Sequence, residues 1–273
     1  MEKRDIFMKR ARERVKAALM SRDMLLSGVT KTMEDLDKVI NLLGERLEEW
    51  YGIYFPEMKV EDKLKYAELV LSIDRANLDR KELASSVGQK KADEISAQAA
   101  RTLGAGLSDN DLAQCRFFAN SIIGLHGMRE RYLKYQGELA MEICPNMSKV
   151  AGPEVAAKLV SHVGSLARLA RLPSSTIQVL GAEKALFKHL KNRRISPPKH
   201  GIIFQHPRIS GSPKAVRGRI ARALAAKICI AAKADAYTKR DIGAGLLADF
   251  DKRYAEIMAA YGAEKAKRPA ASQ

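Results

Sequence analysis

The chain has 273 residues, 46% of them hydrophobic, and its abundant Ala, Leu, Lys, Arg and Glu exclude wholesale disorder and favour helices. Its net charge of +16 is lopsided, with 20 Lys and Arg against 6 Asp and Glu from residue 184 onward but 28 against 26 before it. Such one-sided charge points to a polyanion, nucleic acid above all, because cations release the counterions condensed on phosphates; a merely solvated basic surface is the plain alternative.

Residues 1–25 read as a charged lead-in helix, with Ile6, Ala11, Val15 and Leu19 on a sparse apolar stripe. From there Leu26, Val29, Met33, Leu36, Ile40, Leu43, Leu47, Trp50 and Tyr54 alternate in steps of three and four, a heptad seam that predicts a long helix with a coiled-coil face. Pro56 ends it. Trp50 is read as a seam residue rather than a ligand platform. Shorter helices are expected near 60–72, 80–87 and 90–103, forming a tip between two antiparallel arms. Ser108 and its acidic neighbours then start a return helix over 109–143. Its seam is Phe118, Ile122, Leu125, Tyr132, Leu139 and Ile143, with Arg129 and Gln136 as polar fillers, and His126 sits beside it. The coiled-coil region is thus assigned to 26–147.

Residues 148–261 are expected to form a compact helical domain. A small-residue helix follows Pro153, with Val155, Leu159, Val163, Leu166 and Leu169 turned inward. Pro173 and the two serines after it open the next segment, and GAEK at 181–184 begins a short helix to about Lys191. A basic loop over 192–198 covers the apolar piece GIIF at 201–204. One helix runs from Pro213 to about Asp235, and another, capped by Thr238, to about Tyr261; the tail 262–273 is expected to be disordered. The fold class is therefore all-α, a long antiparallel coiled-coil arm followed by a compact helical domain.

Cys115, Cys144 and Cys229 are widely spaced, which suits reduced core thiols in a cytosolic-type compartment. The charged opening does not read as a signal peptide, and no apolar run reaches membrane-spanning length. Among His126, His162, His189, His200 and His206 no metal-ligand spacing occurs, and the Gly-x-Gly triplets at 104–106 and 243–245 lack a preceding strand. No cofactor and no catalytic residue is expected.

Two stretches carry chemistry. The loop 199–208 mixes Lys199, His200, Gln205 and His206, groups that can hold phosphates, stack on splayed bases or pair with base edges; a polar loop over an Ile202, Ile203 and Phe204 core is the bland alternative. The helix after Pro213 turns Val216, Ile220, Leu224, Ile228 and Ala231 to one face and is basic on the other, where Lys214, Arg217, Arg219, Arg222 and Lys227 make a phosphate-binding surface; a solvated charged face is the bland alternative.

SSTIQVLGAEKALF at 174–187, PPKHGIIFQHP at 197–207 and RGRIARALAAK at 217–227 together resemble the Nop domain family, with an archaeal-type spelling. The likeness reaches back through DLDKVINLL at 35–43 and EEWY at 48–51. The resemblance implies a non-enzymatic scaffold of a box C/D ribonucleoprotein that supports RNA-guided 2′-O-methylation. It implies contact with box C/D guide RNA through Lys199, His200, Gln205, His206, Arg217, Arg219, Arg222 and Lys227. Gly181, Ala182, Glu183, Lys184, Leu186 and Phe187 would face the ribosomal-like protein that grips the kink-turn. Leu36, Ile40, Leu43, Leu47, Ile122 and Leu125 would form a homodimer. Fibrillarin, the methyltransferase, is the further partner implied. The α/β domain that contacts it in archaeal members is not found ahead of the seam, so direct contact is not expected of this stretch. The implied location is the cytoplasm of an archaeal-type cell, or the nucleolus of a eukaryote. Alternatives are a spliceosomal-type Nop protein on a kink-turn small nuclear RNA and, from another class, a generic basic coiled-coil DNA-binding protein.

Overall fold

A computed structural model describes residues 2–19, 22–73, 75 and 80–267, and the described residues form helices and turns without strands. The chain divides into two compact units, one made of 32–132 and the other of 1–31 with 133–273.

The 32–132 unit is built on parts of two long helices, α2 (Arg22–Tyr54) and α6 (Asp109–Ile143), numbered after the lead-in helix α1 (Glu2–Leu19). Asp37 pairs with Arg129, and Trp50 packs on Phe118 with ring centroids 5.8 Å apart. Moving up one helix moves down the other, so the pairing is antiparallel. Ser108 and Asp111 cap α6 reciprocally: the Ser108 hydroxyl accepts from the Asp111 amide, and the Asp111 carboxylate accepts from the Ser108 amide.

The seam closes within one chain. Leu36, Ile40, Leu47 and Ile122 are buried, and Leu43 and Leu125 pack half-buried against the cluster that holds the last three. The resemblance implies that these six form a contact between copies; within the chain they already pack in the hairpin, because a heptad pattern does not say which chain its partner helix belongs to, and a tethered partner is present at high effective concentration. Trp50 departs from the expected seam. It is 53% exposed, while Tyr51 is 1% exposed and takes its place, because the seam steps by four after Leu47.

The tip consists of α3 (Lys63–Ser72), α4 (Arg80–Val87) and α5 (Gln89–Ala99). Asp62 caps α3 through the amides of Leu64 and Lys65. Arg75 lies 4.3 Å from the Tyr54 ring centroid and donates to the carbonyls of Tyr54 and Gly104, tying the end of α2 to the 100–107 loop. Gly104 has no room for a side chain, since a Cβ there would collide with the Tyr54 carbonyl.

In the other unit the helix ends nearest the boundary also pair. Gln136 donates to the Thr30 hydroxyl at 2.8 Å, which in turn donates to the Leu26 carbonyl at 2.7 Å. Both side chains are buried, so the polar filler foreseen at Gln136 has a hydrogen-bond partner in the interior. The chain then turns at Pro145, which begins a helix rather than merely ending one: α7 (Pro145–Ala151). The single helix expected after Pro153 is two, α8 (Pro153–Val163) and α9 (Leu166–Leu169), because Gly164 turns left-handed at φ 93° and Ser165 caps the next turn.

Next come α10 (Ser174–Val179), α11 (Glu183–Lys191), a 3-10 turn over Ile202–Gln205, α12 (Pro207–Ser210), α13 (Arg217–Lys233), a π-helical turn over Ala234–Thr238, and α14 (Gly243–Lys267). The centre is α13, which packs against α7, α10 and α14 and buries Val216 beside it, then Ile220, Leu224, Ile228 and Ala231, the face foreseen from spacing. Its start at Arg217 leaves Pro213 in the preceding turn.

Thr238 does not cap the last helix. That position is filled from 96 residues away, where the Asn146 side-chain oxygen accepts from the amides of Ile242 and Gly243. Asp235, 1% exposed, accepts in turn from the Asn146 amide and side chain and from the Met147 amide, capping α7. The last helix also runs through Lys267, so 262–267 is ordered helix rather than tail; 268–273 lie outside the described residues, as do 1, 20 and 21 of the lead-in segment.

Candidate nucleic-acid interface

The first two motifs are stitched edge to edge. Gln178 donates through Nε2 to the Lys199 carbonyl at 2.7 Å, Gly201 donates to the Gln178 carbonyl at 3.0 Å, and Ile202 to the Leu180 carbonyl at 2.7 Å. Two glycines make this possible. A Cβ on Gly201 would strike the Leu180 carbonyl, and Gly181 sits at φ 85° with Ile202 2.6 Å from where its Cβ would be.

From this seam α11 projects outward with no buried residue. Leu186 is half-buried, whereas Phe187 is 65% exposed and Leu190 is exposed beside it, flanked by Lys184, Lys188 and Lys191. Phe187 and Leu190 thus leave an apolar patch uncovered among the described residues. Glu183 anchors the helix start: its carboxylate accepts from the Gly181 amide at 2.7 Å and meets His162 at 2.8 Å. Burial by itself would raise the Glu183 pKa, but the Gly181 and Glu183 amides and His162 outweigh it and hold the group below the usual carboxylate range. Ala182 is the N-cap residue of α11.

Beside the seam lies a basic pocket of about 450 Å³ lined by Lys199, His200, Lys214 and Arg217. Lys199 and Lys214 are exposed, and no acidic side chain lines the pocket. His200 stacks on Phe204 at 4.5 Å between centroids, and burial first, then Arg217, lowers its pKa, which keeps the ring neutral near pH 7. Clustered cations with a flat ring beside them can hold a phosphate and support a base.

Other expected contacts have different duties. Arg217 donates to the carbonyls of Ser212 and Ser210 at 2.8 and 2.9 Å and lies 5.3 Å from the Phe204 centroid, so it shapes the pocket wall. His206 caps α12 by accepting from the Arg208 amide, and its half-buried ring meets Phe250 edge-on; burial, then Arg208, lowers its pKa. Gln205 accepts from Lys158 at 2.7 Å. Arg219, Arg222 and Lys227 do not join the pocket but line a separate groove against α14. The cations expected together on one face of α13 divide, since Arg217 and Arg219 lie roughly 200° apart around that helix.

Sequence reasoning missed His162, Lys158, Lys252 and Arg253. No local pattern marks them, because each acquires its role from a residue at least 20 positions away. Among the described residues no cluster of His, Cys, Asp and Glu could hold a metal, and no helix is long and apolar enough to cross a membrane. Cys115, Cys144 and Cys229 are buried free thiols.

A family model described as Nop, snoRNA binding domain, fibrillarin, matches residues 32–256. The chain belongs to the Nop family. It is 43% identical over 90% of its length to an uncharacterised NOP5 family protein of Methanocaldococcus jannaschii, covering 60% of that relative. It is 35% identical over 83% of its length to Nucleolar protein 58 of Coccidioides immitis, covering 38% of it, so the chain corresponds to part of these relatives. Among solved structures, a fibrillarin/Nop5p complex matches with a TM-score of 0.54 and 28% identity, over 93% of this chain and 77% of the other. The Nop match contains the stitched motifs, the outward α11 and both basic surfaces.

Proposed function

We propose that this Nop-family chain is a non-catalytic scaffold of a box C/D ribonucleoprotein, supporting RNA-guided 2′-O-methylation of rRNA or tRNA. The observation that carries the reading is the stitching of the two motifs, which sets an exposed apolar helix and a cationic pocket on one rigid support. In this reading guide RNA enters the pocket at Lys199, His200 and Lys214, with Arg217 holding its wall. The kink-turn-binding ribosomal-like protein meets Phe187 and Leu190 on α11, with Glu183, Gly181 and Ala182 fixing the direction of that helix and Lys184 at its edge. Neither contact works well alone, so assembly reads a kink-turn already carrying its protein.

Fibrillarin, the methyltransferase that the resemblance implies, is a further partner in this reading, supported by the solved complex of fibrillarin with Nop5p; the location follows the relatives, cytoplasm in an archaeal-type cell and nucleolus in a eukaryote. Homodimerisation in this reading uses the second stripe of the 32–132 unit, where Val39, Leu42, Trp50, Ile53 and Phe117 are exposed.

A gel shift with box C/D kink-turn RNA, with and without the kink-turn protein, tests the proposal. Tight binding only when both are present is expected; equal binding to random duplex DNA sinks it in favour of a generic basic DNA-binding protein.

A further inference from the structure

Opposite the loop pocket, α13 and α14 enclose a groove of about 630 Å³. Five cations line it: Arg219, Arg222 and Lys227 from α13, Lys252 and Arg253 from α14. Three have acidic partners. Lys227 meets Asp249 at 2.8 Å, Arg253 meets Glu256 at 2.7 Å, and Arg219 reaches Glu264 at 3.6 Å. Arg222 and Lys252 are exposed and form no ion pair with a described residue. Ala223 and Ala226 make the floor shallow, and Ile257 is buried beneath it.

The helix itself explains why this surface is separate. Arg217 turns toward the Ser210 and Ser212 carbonyls and Phe204, on the side of the loop pocket. Arg219 and Arg222 point roughly 200° and 140° away from it around α13, at 100° per residue. The two cationic surfaces share no lining residue and are divided by the thickness of one helix, about 10–12 Å.

We infer that the α13–α14 groove is a second RNA site, gripping the phosphodiester backbone of a segment outside the kink-turn. The inference rests on the scaffold reading, which brings RNA to the opposite side of α13. An open, shallow groove with two cations lacking ion-pair partners suits a repeated backbone charge, and no aromatic side chain lines it to stack a base. The contact would therefore add affinity and orient the RNA without reading sequence.

The test uses the full chain with the kink-turn protein and two RNAs, one trimmed to the kink-turn and one extended by a twelve-base-pair stem. Wild-type protein should bind the extended RNA more tightly. Arg222→Ala with Lys252→Ala should remove that gain, roughly tenfold at physiological salt, and flatten the salt dependence by about 1.4 to 1.8 in slope for two lost phosphate contacts. Binding of the trimmed RNA should stay unchanged, and circular dichroism confirms the fold. Lys199→Ala with Lys214→Ala should instead weaken both RNAs. If the groove variant keeps the gain, or weakens the trimmed RNA as much as the extended one, the second site is wrong while the scaffold reading stands. If the loop variant also binds both RNAs normally, the scaffold reading falls. Competition by a polyglutamate peptide of equal charge, as effective as the stem, would overturn RNA as the occupant.

Discussion

In the 32–132 hairpin, Ile40, Leu47 and Ile122 pack in a cluster whose members recur every three or four residues along each helix, and α3 and α6 carry caps drawn from their own first turn. The other unit closes differently. There Asp235 caps a helix 88 residues upstream, and Asn146, oriented by Asp235, caps one 96 residues downstream. Both units bury an apolar cluster, but the helices of the second are also capped by a buried polar relay between distant segments, whereas the caps on α3 and α6 are local. A buried polar interaction that occurs once has no repeat to replace it, so each is costly to lose.

The sharpest break in this contrast is Asp235→Ala. It strands the amides of Asn146 and Met147 and frees the Asn146 side chain, at about 1–3 kcal/mol for each buried donor, for a total of roughly 4 kcal/mol. Trp50, the single tryptophan, reports on the hairpin unit. Denaturant unfolding should show a large loss by circular dichroism with a smaller shift of the Trp50 fluorescence transition; coincident shifts of equal size would mean the hairpin depends on the relay.

Leu47→Ala should reverse the pattern, moving the Trp50 transition most, by roughly 3 kcal/mol for truncating a fully buried leucine. Trp50→Ala, on the exposed stripe, should cost less than about 1 kcal/mol of stability. Light scattering at micromolar concentration would then separate the faces: loss of dimer in Trp50→Ala with the fold intact supports the exposed stripe, whereas an unchanged dimer removes it.

The smallest expected effect is a pH dependence confined to the polar unit. Burial and Arg208 keep the His206 pKa below its ordinary value near 6.5, although Asp251 opposes them. The unfolded chain therefore binds more protons just below pH 6.5, so stability falls as pH drops through that window and is fully present above it. His206→Asn keeps an acceptor for the Arg208 amide and should flatten the slope between pH 7.5 and 5.5. His200 contributes with the same sign, so a residual slope remains. An unaltered slope would remove His206 as its source.

Much of the fold was legible because its signals are short-range. The heptad spacing, Pro56 and the Ser108 box delimit α2 and α6, and the apolar face of α13 is readable one turn at a time. The same locality explains the misses. Heptads give Trp50 as the next seam residue after Leu47, whereas a step of four buries Tyr51 instead. Spacing cannot show Asn146 reaching Ile242, so Thr238 was the nearest cap available to a reading along the chain.

For the candidate site, the sequence by itself determined which chemistry is present: glycines where backbones must touch, an excess of cations over acids, and the motifs that mark a Nop domain. Only the tertiary structure decided which of those groups share a surface. Side chains one or two positions apart on α13 point in unrelated directions, while Lys199 and Lys214, or Arg222 and Lys252, become neighbours only when distant segments pack. That is why one basic stretch in the sequence became two separate basic surfaces, with Arg217 and His206 holding the frame between their neighbours.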